Sequence, residues 1–169
     1  MRIEENKPQG TNMLAKPAFI MLVEDNVDHA ELTIEILKKN HVVNKVVQFM
    51  DAESAYDYLY NENEYKDKEK YPYPDVILLD VKLPGMDGFE LLQTIKNKPE
   101  TKRIPVIMLT TSKRDEEIVK GYDIGANSYI VKPVNFNEFK SKIEDLQLYW
   151  FITSELPKPA NVLAVRDKV

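Results

Sequence analysis

Four short apolar runs, each closed by polar residues, constrain this chain more than any other feature. Ile20-Met21-Leu22-Val23 ends in Glu24-Asp25, and Val76-Ile77-Leu78-Leu79 ends in Asp80. Val106-Ile107-Met108-Leu109 ends in Thr110-Thr111-Ser112, and Tyr129-Ile130-Val131 ends in Lys132-Pro133. Short unbroken apolar runs suit strands buried on both faces, as in parallel sheets. These predict strands at about 18–23, 75–79, 105–109 and 128–131, with a further one inside 42–49 that starts near Lys45.

Helical spacing fills the gaps. Ala30, Ile34 and Leu37 share a face between about Asp28 and Asn40, with Asn26 as cap and Asn40 as stop. Asp51 caps a helix carrying Ala52, Ala55 and Leu59. Phe89, Leu92 and Ile95 mark a third helix over about 87–97, and a fourth over about 115–124 stops at Gly125. A fifth begins near Asn135. Five β-α units imply an α/β fold, a parallel sheet covered by helices on both faces through right-handed crossovers. Ligands in such sheets bind beyond the carboxyl ends of the strands. Three carboxylates, a hydroxyl and a lysine would converge there, a set suited to a divalent cation and a phosphoryl group. Pattern alone leaves the strand order open.

Composition narrows the function classes. At 169 residues the chain can bury a full core, and 43% hydrophobic with 30% charged residues is ordinary for a soluble domain. A net charge of -5 without a basic stripe argues against nucleic-acid binding. No cysteine is present, so thiol chemistry is excluded, and two histidines, His29 and His41, cannot make a histidine-rich metal site. No apolar run nears the ~20 residues of a membrane helix. The polar start MRIEENKPQGTNMLAKP lacks a signal-peptide core, so a cytoplasmic location is expected.

The segments MLVEDN (21–26), DVILLDVKLPGMDG (75–88), IPVIMLTTS (104–112) and GANSYIVKP (125–133) together resemble a receiver domain, the phospho-accepting half of two-component signalling. The ending LQLYWFITSELP (146–157) is similar to that of single-domain regulators of the cyanobacterial phytochrome response regulator kind. The resemblance implies a flavodoxin-like (βα)5 three-layer sandwich of strand order 2-1-3-4-5. It divides the chain into a flexible leader (1–17), a receiver domain (18–152) and a tail (153–169).

The resemblance also implies roles. Asp80 would be the phosphoryl acceptor, since a carboxylate can form an acyl phosphate. Mg²⁺ would be the cofactor. It would be bound directly by Asp25 and Asp80, through water by Glu24, and by the backbone carbonyl of Lys82. Lys132 and the Thr110 hydroxyl would meet phosphoryl oxygens, and a cis peptide before Pro133 would aim Lys132 inward. Tyr129, on the outer side of its strand, would move with Thr110 as a switch. Thr111 stands where the family favours a small residue. Lys82 departs from the family, which often has an uncharged residue there. Its side chain would overhang the phosphoryl group and alter the lifetime of the acyl phosphate.

The donor would be a histidine kinase or phosphotransfer protein, a phytochrome-type sensor in the subgroup. The chain would not be an enzyme beyond its own phosphoryl acceptance and slow autodephosphorylation. Phe136, Phe139, Ile143, Leu146 and Trp150 form one apolar stripe on the last helix, facing the sheet. Leu148, Tyr149, Phe151 and Ile152 fall off it and suggest a homodimer through the fourth helix, last strand and fifth helix. Residues 61–74, polar with Tyr65, Tyr71 and Tyr73 interleaved, read either as a solvated loop or as a partner-docking one. Three rivals remain: a Mg²⁺-dependent phosphatase with an aspartyl nucleophile, a nucleotide or flavin binder, and a pseudo-receiver. The first commonly needs a second aspartate where Lys82 stands, the second a glycine-rich phosphate loop, and the third an incomplete acidic set.

Overall fold

A computed structural model describes residues 1–5, 18–39 and 43–147 of the chain. The strands are β1 (Arg2–Glu5), β2 (Ala18–Val23), β3 (Val43–Phe49), β4 (Val76–Asp80), β5 (Val106–Thr110) and β6 (Ser128–Val131). The helices are α1 (Val27–Lys39), α2 (Ala52–Leu59), α3 (Gly88–Asn97), α4 (Asp115–Ile124) and α5 (Phe136–Gln147). The sheet runs β1-β3-β2-β4-β5-β6. From β3 to β6 every pairing is parallel, and β1 alone is antiparallel, on β3. Set β1 aside and the order is the expected flavodoxin-like 2-1-3-4-5, with its switch point between β2 and β4.

The period-2 alternation of each strand sorts its side chains into two cores. Met21, Val23, Ile77, Leu79 and Met108 face α2 and α3, where Leu59, Leu91, Leu92 and Ile95 are buried. Ile20, Leu22, Leu78, Ile107 and Leu109 face α1 and α5, meeting Ile34, Leu37, Phe139 and Ile143. Every residue of β4 and β5 is buried. Both faces are covered, which is why their sequences read as unbroken apolar runs.

Local signals set the helix starts. Asn26 Oδ1 accepts from His29 N at 3.0 Å at the start of α1. Asp51 accepts from Ser54 N at 2.7 Å, and Asp87 forms a capping box with Glu90. Gly125, at φ 121°, ends α4 in a conformation that side chains resist.

Three features differ from the sequence expectation. The leader was expected to be loose, yet its first residues form β1; this antiparallel pairing uses backbone groups and leaves no periodic signal. Residues 61–74 are neither solvated throughout nor an outward display of tyrosines. Tyr65 is buried, with ring centroids 5.2 Å from Tyr58, 5.1 Å from Tyr71 and 6.2 Å from Phe49. On α5, Phe139 and Ile143 are buried as expected, but Phe136, the first residue of the helix, is 56% exposed. Asn40, residues 6–17, and Leu148 to Ile152 with the tail lie outside the described residues. Among the described residues no helix is long and apolar enough to cross a membrane.

Candidate functional site

Because β2, β4, β5 and β6 are parallel, their carboxyl ends open onto one rim. Glu24 and Asp25 follow β2, Asp80 ends β4, Thr110 ends β5 and Lys132 follows β6. Glu24, Asp25 and Asp80 each present a carboxylate oxygen within 4.8 Å of the others. Glu24 is buried, Asp25 is exposed, and Asp80 sits at the surface of the pit, 9% exposed.

Lys132 ties the rim together. Its ammonium donates to Glu24 Oε2 and to Asp80 Oδ2, the latter at 3.2 Å. Its backbone N–H donates to Thr110 O at 2.6 Å, which fixes the end of β6 against β5. Glu24 Oε1 accepts from Asn26 N at 3.1 Å, and Asp80 Oδ1 from Lys82 N at 3.3 Å. Burial pushes the Glu24 carboxyl up to about 7, and the neighbouring Asp80 charge adds to the rise. The Lys132 ammonium pulls the other way. One ammonium facing three carboxylates leaves net negative charge in a half-closed pit. Hard divalent cations take such oxygen donors, so the residues present fit one.

The bond before Pro133 is trans, as are all peptide bonds among the described residues, so the expected cis form is corrected. Trans is the lower-energy form for X–Pro. Lys132 reaches Glu24 and Asp80 with that bond trans.

The loop after Asp80 is pinned from two sides. Met86 N donates to Glu53 Oε1 at 2.7 Å, and Gly88 N to Val81 O at 2.9 Å. The Lys82 side chain is exposed, as a residue overhanging the mouth would be. Thr111 is exposed beside buried Thr110, whose Oγ1 accepts from Ser112 N at 3.1 Å.

Tyr129 is turned under α4 rather than out to solvent. Gly121 makes room for it: a Cβ there would come 3.1 Å from Tyr129 Cδ2. The buried Tyr129 hydroxyl has no hydrogen-bond partner, and neither does Glu117 Oε2. Burial and then the Glu117 charge raise the phenol's pKa. The nearby Thr110 hydroxyl offsets part of that, although no hydrogen bond of ordinary geometry joins the two.

Sequence reasoning missed three residues that shape the rim: Glu53, Gly88 in its packing role, and His29. His29 Nδ1 lies 3.5 Å from Lys132 Nζ. The available signal was its place in the first turn of α1, just after the acidic pair Glu24-Asp25.

Comparison with known proteins agrees with this geometry. Residues 20–144 match the response regulator receiver domain. Response regulator Rcp1 of Synechocystis sp. is 35% identical over 141 residues, covering 83% of this chain and 94% of Rcp1. The crystal structure of the Mn²⁺-bound form of Rcp1 matches with a TM-score of 0.79 at 34% identity, over 84% of this chain and 100% of that one. The phosphorylated cyanobacterial phytochrome response regulator RcpA gives 0.80 at 38% identity, over 85% and 100%. Receiver domains work with histidine kinases in two-component signalling. With a flavodoxin-like sheet, an acidic rim and relatives matched over most of their length, the chain belongs to the response regulator receiver domain family.

Proposed function

We propose that Asp80 accepts a phosphoryl group from the phosphohistidine of a sensor kinase or phosphotransfer protein, with Mg²⁺ as cofactor, and that the output is protein–protein contact. One observation carries this reading: Asp80 ends a buried strand with its Oδ2 3.2 Å from Lys132 and its carboxylate within 4.8 Å of Glu24 and Asp25. An Asp80 oxygen forms the new O–P bond as the donor's N–P bond breaks, and the freed imidazole takes up a proton. Lys132 exchanges its Asp80 contact for a phosphoryl oxygen and meets the charge that gathers there. Thr110, held through Ser112, offers its O–H to a second oxygen. Asp25, Asp80, the Lys82 carbonyl and, through water, Glu24 would hold Mg²⁺, which supplies positive charge to the phosphoryl oxygens. Autodephosphorylation reverses the occupancy with water as acceptor.

Incubation with acetyl phosphate and Mg²⁺ should add one phosphoryl group per chain by intact-protein mass spectrometry. Asp80→Asn, or omission of Mg²⁺, should leave the protein unlabelled. Equal labelling of the variant sinks the assignment.

Phosphorylation would draw Thr110 inward and let Tyr129 follow, which is why a phenol without a partner is a good moving part. The face it adjoins supports the homodimer through α4, β6 and α5. Val119 and Tyr122 stand 57% and 50% exposed on α4, whose one buried residue is Gly121. A second copy placing its own α4 there would cover both. Sedimentation should find a dimer whose affinity shifts by ~1–3 kcal/mol with beryllofluoride, and Tyr122→Glu should weaken it at least ~10-fold. A monomer in every state at high concentration removes this surface from the reading.

A further inference from the structure

An ammonium has three N–H donors and no acceptor. The contacts of Lys132 account for all three: Glu24 Oε2, Asp80 Oδ2 at 3.2 Å and His29 Nδ1 at 3.5 Å. A nitrogen that faces a donor with no lone pair must itself accept. The neutral His29 ring therefore carries its proton on Nε2.

The backbone that carries the ring is fixed at the start of α1: His29 N donates to Asn26 Oδ1 at 3.0 Å, and His29 O accepts from Thr33 Oγ1 at 2.7 Å. The ring shares the wall of a groove of about 210 Å³ with Lys132, and the other walls (Leu32, Pro133, Val134, Phe136 and Phe139) are apolar. They offer Nδ1 no competing donor. Burial, then the Lys132 charge, lowers the His29 pKa, which keeps the ring in the neutral form that can accept.

We propose that His29 is a positioning residue for phosphoryl transfer. Its Nδ1 holds one N–H of Lys132 while Glu24 holds another, so that the third stays aimed at the Asp80 oxygen and the phosphoryl group it receives. A lysine head on a four-carbon stem samples many rotamers, and two fixed acceptors on one side of it remove most of that freedom. The function needs this because a small misplacement of a charge-stabilising group costs rate without costing binding. The inference rests on Asp80 as the acceptor and Lys132 as its charge partner.

Three measurements test it. Without added metal, ¹⁵N NMR of the imidazoles should show His29 with an unprotonated Nδ1 and a protonated Nε2. His41 is the only other histidine, so a His41→Gln variant assigns the signals. With acetyl phosphate and Mg²⁺, His29→Leu should lower the maximal phosphorylation rate about 3–10-fold with the half-saturating donor concentration unchanged. His29→Asn puts an amide oxygen near the Nδ1 position and should stay within about two-fold of wild type. Melting temperatures of all three should agree within a few degrees, because His29 is at the rim and not in the core. An Nδ1–H tautomer, or a His29→Leu protein as fast as wild type, overturns the positioning role and leaves Asp80 as acceptor intact. A wild-type protein that cannot be labelled at all overturns the acceptor assignment, and this inference with it.

Discussion

Replacing Lys132 with methionine should slow phosphorylation of Asp80 by about two to three orders of magnitude, the usual cost of deleting one preorganised charge stabiliser. Methionine is close to lysine in length and apolar bulk, so the stem's packing survives and the ammonium alone is lost. That ammonium touches both buried Glu24 and Asp80. Its removal leaves carboxylates facing one another with no positive partner, the arrangement that destabilises most. Added Mg²⁺ should therefore raise the melting temperature of the variant more than that of wild type, because the pit is more negative and no ammonium repels the cation. Phosphorylation rates and melting curves with and without Mg²⁺ check both halves. A variant labelled at the wild-type rate would show that Lys132 serves only to neutralise the pit.

Most of the frame was legible because its causes are local. The runs 76–79 and 106–109 are apolar on both faces because helices cover both, and only a central parallel strand asks for that. Asp51 is a readable cap because the hydrogen bond it accepts lies three residues away. Glu24, Asp25, Asp80, Thr110 and Lys132 were legible as a group because parallel strands bring every carboxyl end to one rim. What escaped depends on contacts between distant parts of the chain. β1 pairs through its backbone with a strand more than forty residues on, Ile3 opposite Val47. Tyr65 looked like a surface residue because its neighbours are charged. Its ring nonetheless closes an aromatic cluster with Phe49, Tyr58 and Tyr71. His29 escaped because a histidine count tests for a metal site and says nothing about an acceptor for lysine. The bond before Pro133 was assigned from likeness to a family rather than from any force in this sequence, and the structure has it trans.

Substituting Gly88 with alanine should destabilise the fold by ~3 kcal/mol or more and lower the melting temperature by about 10 °C. Elsewhere in a helix the same change favours folding, since alanine gains roughly 0.5–1 kcal/mol over glycine. Gly88 begins α3 and has no positive φ, so conformation does not demand glycine here. Space does. A Cβ at Gly88 would fall inside van der Waals contact of the Asp80 carbonyl oxygen, 2.9 Å from Val81 Cα and 3.0 Å from the Asp80 carbonyl carbon. All three are backbone atoms, and no rotamer change relieves them. On one side they belong to Asp80, the last residue of β4, and to Val81 next to it, and β4 is held between β2 and β5. On the other, the Gly88 N–H is bound to Val81 O at 2.9 Å and Asp87 locks the helix start. The clash must move α3 or the end of β4, and the end of β4 carries Asp80, the proposed acceptor. Measured below its melting point, where the chain is still folded, Gly88→Ala should therefore also phosphorylate more slowly than wild type. Melting within a degree or two of wild type, with an unchanged rate, would mean that the first turn of α3 shifts freely and that the short approach sets nothing about where Asp80 sits.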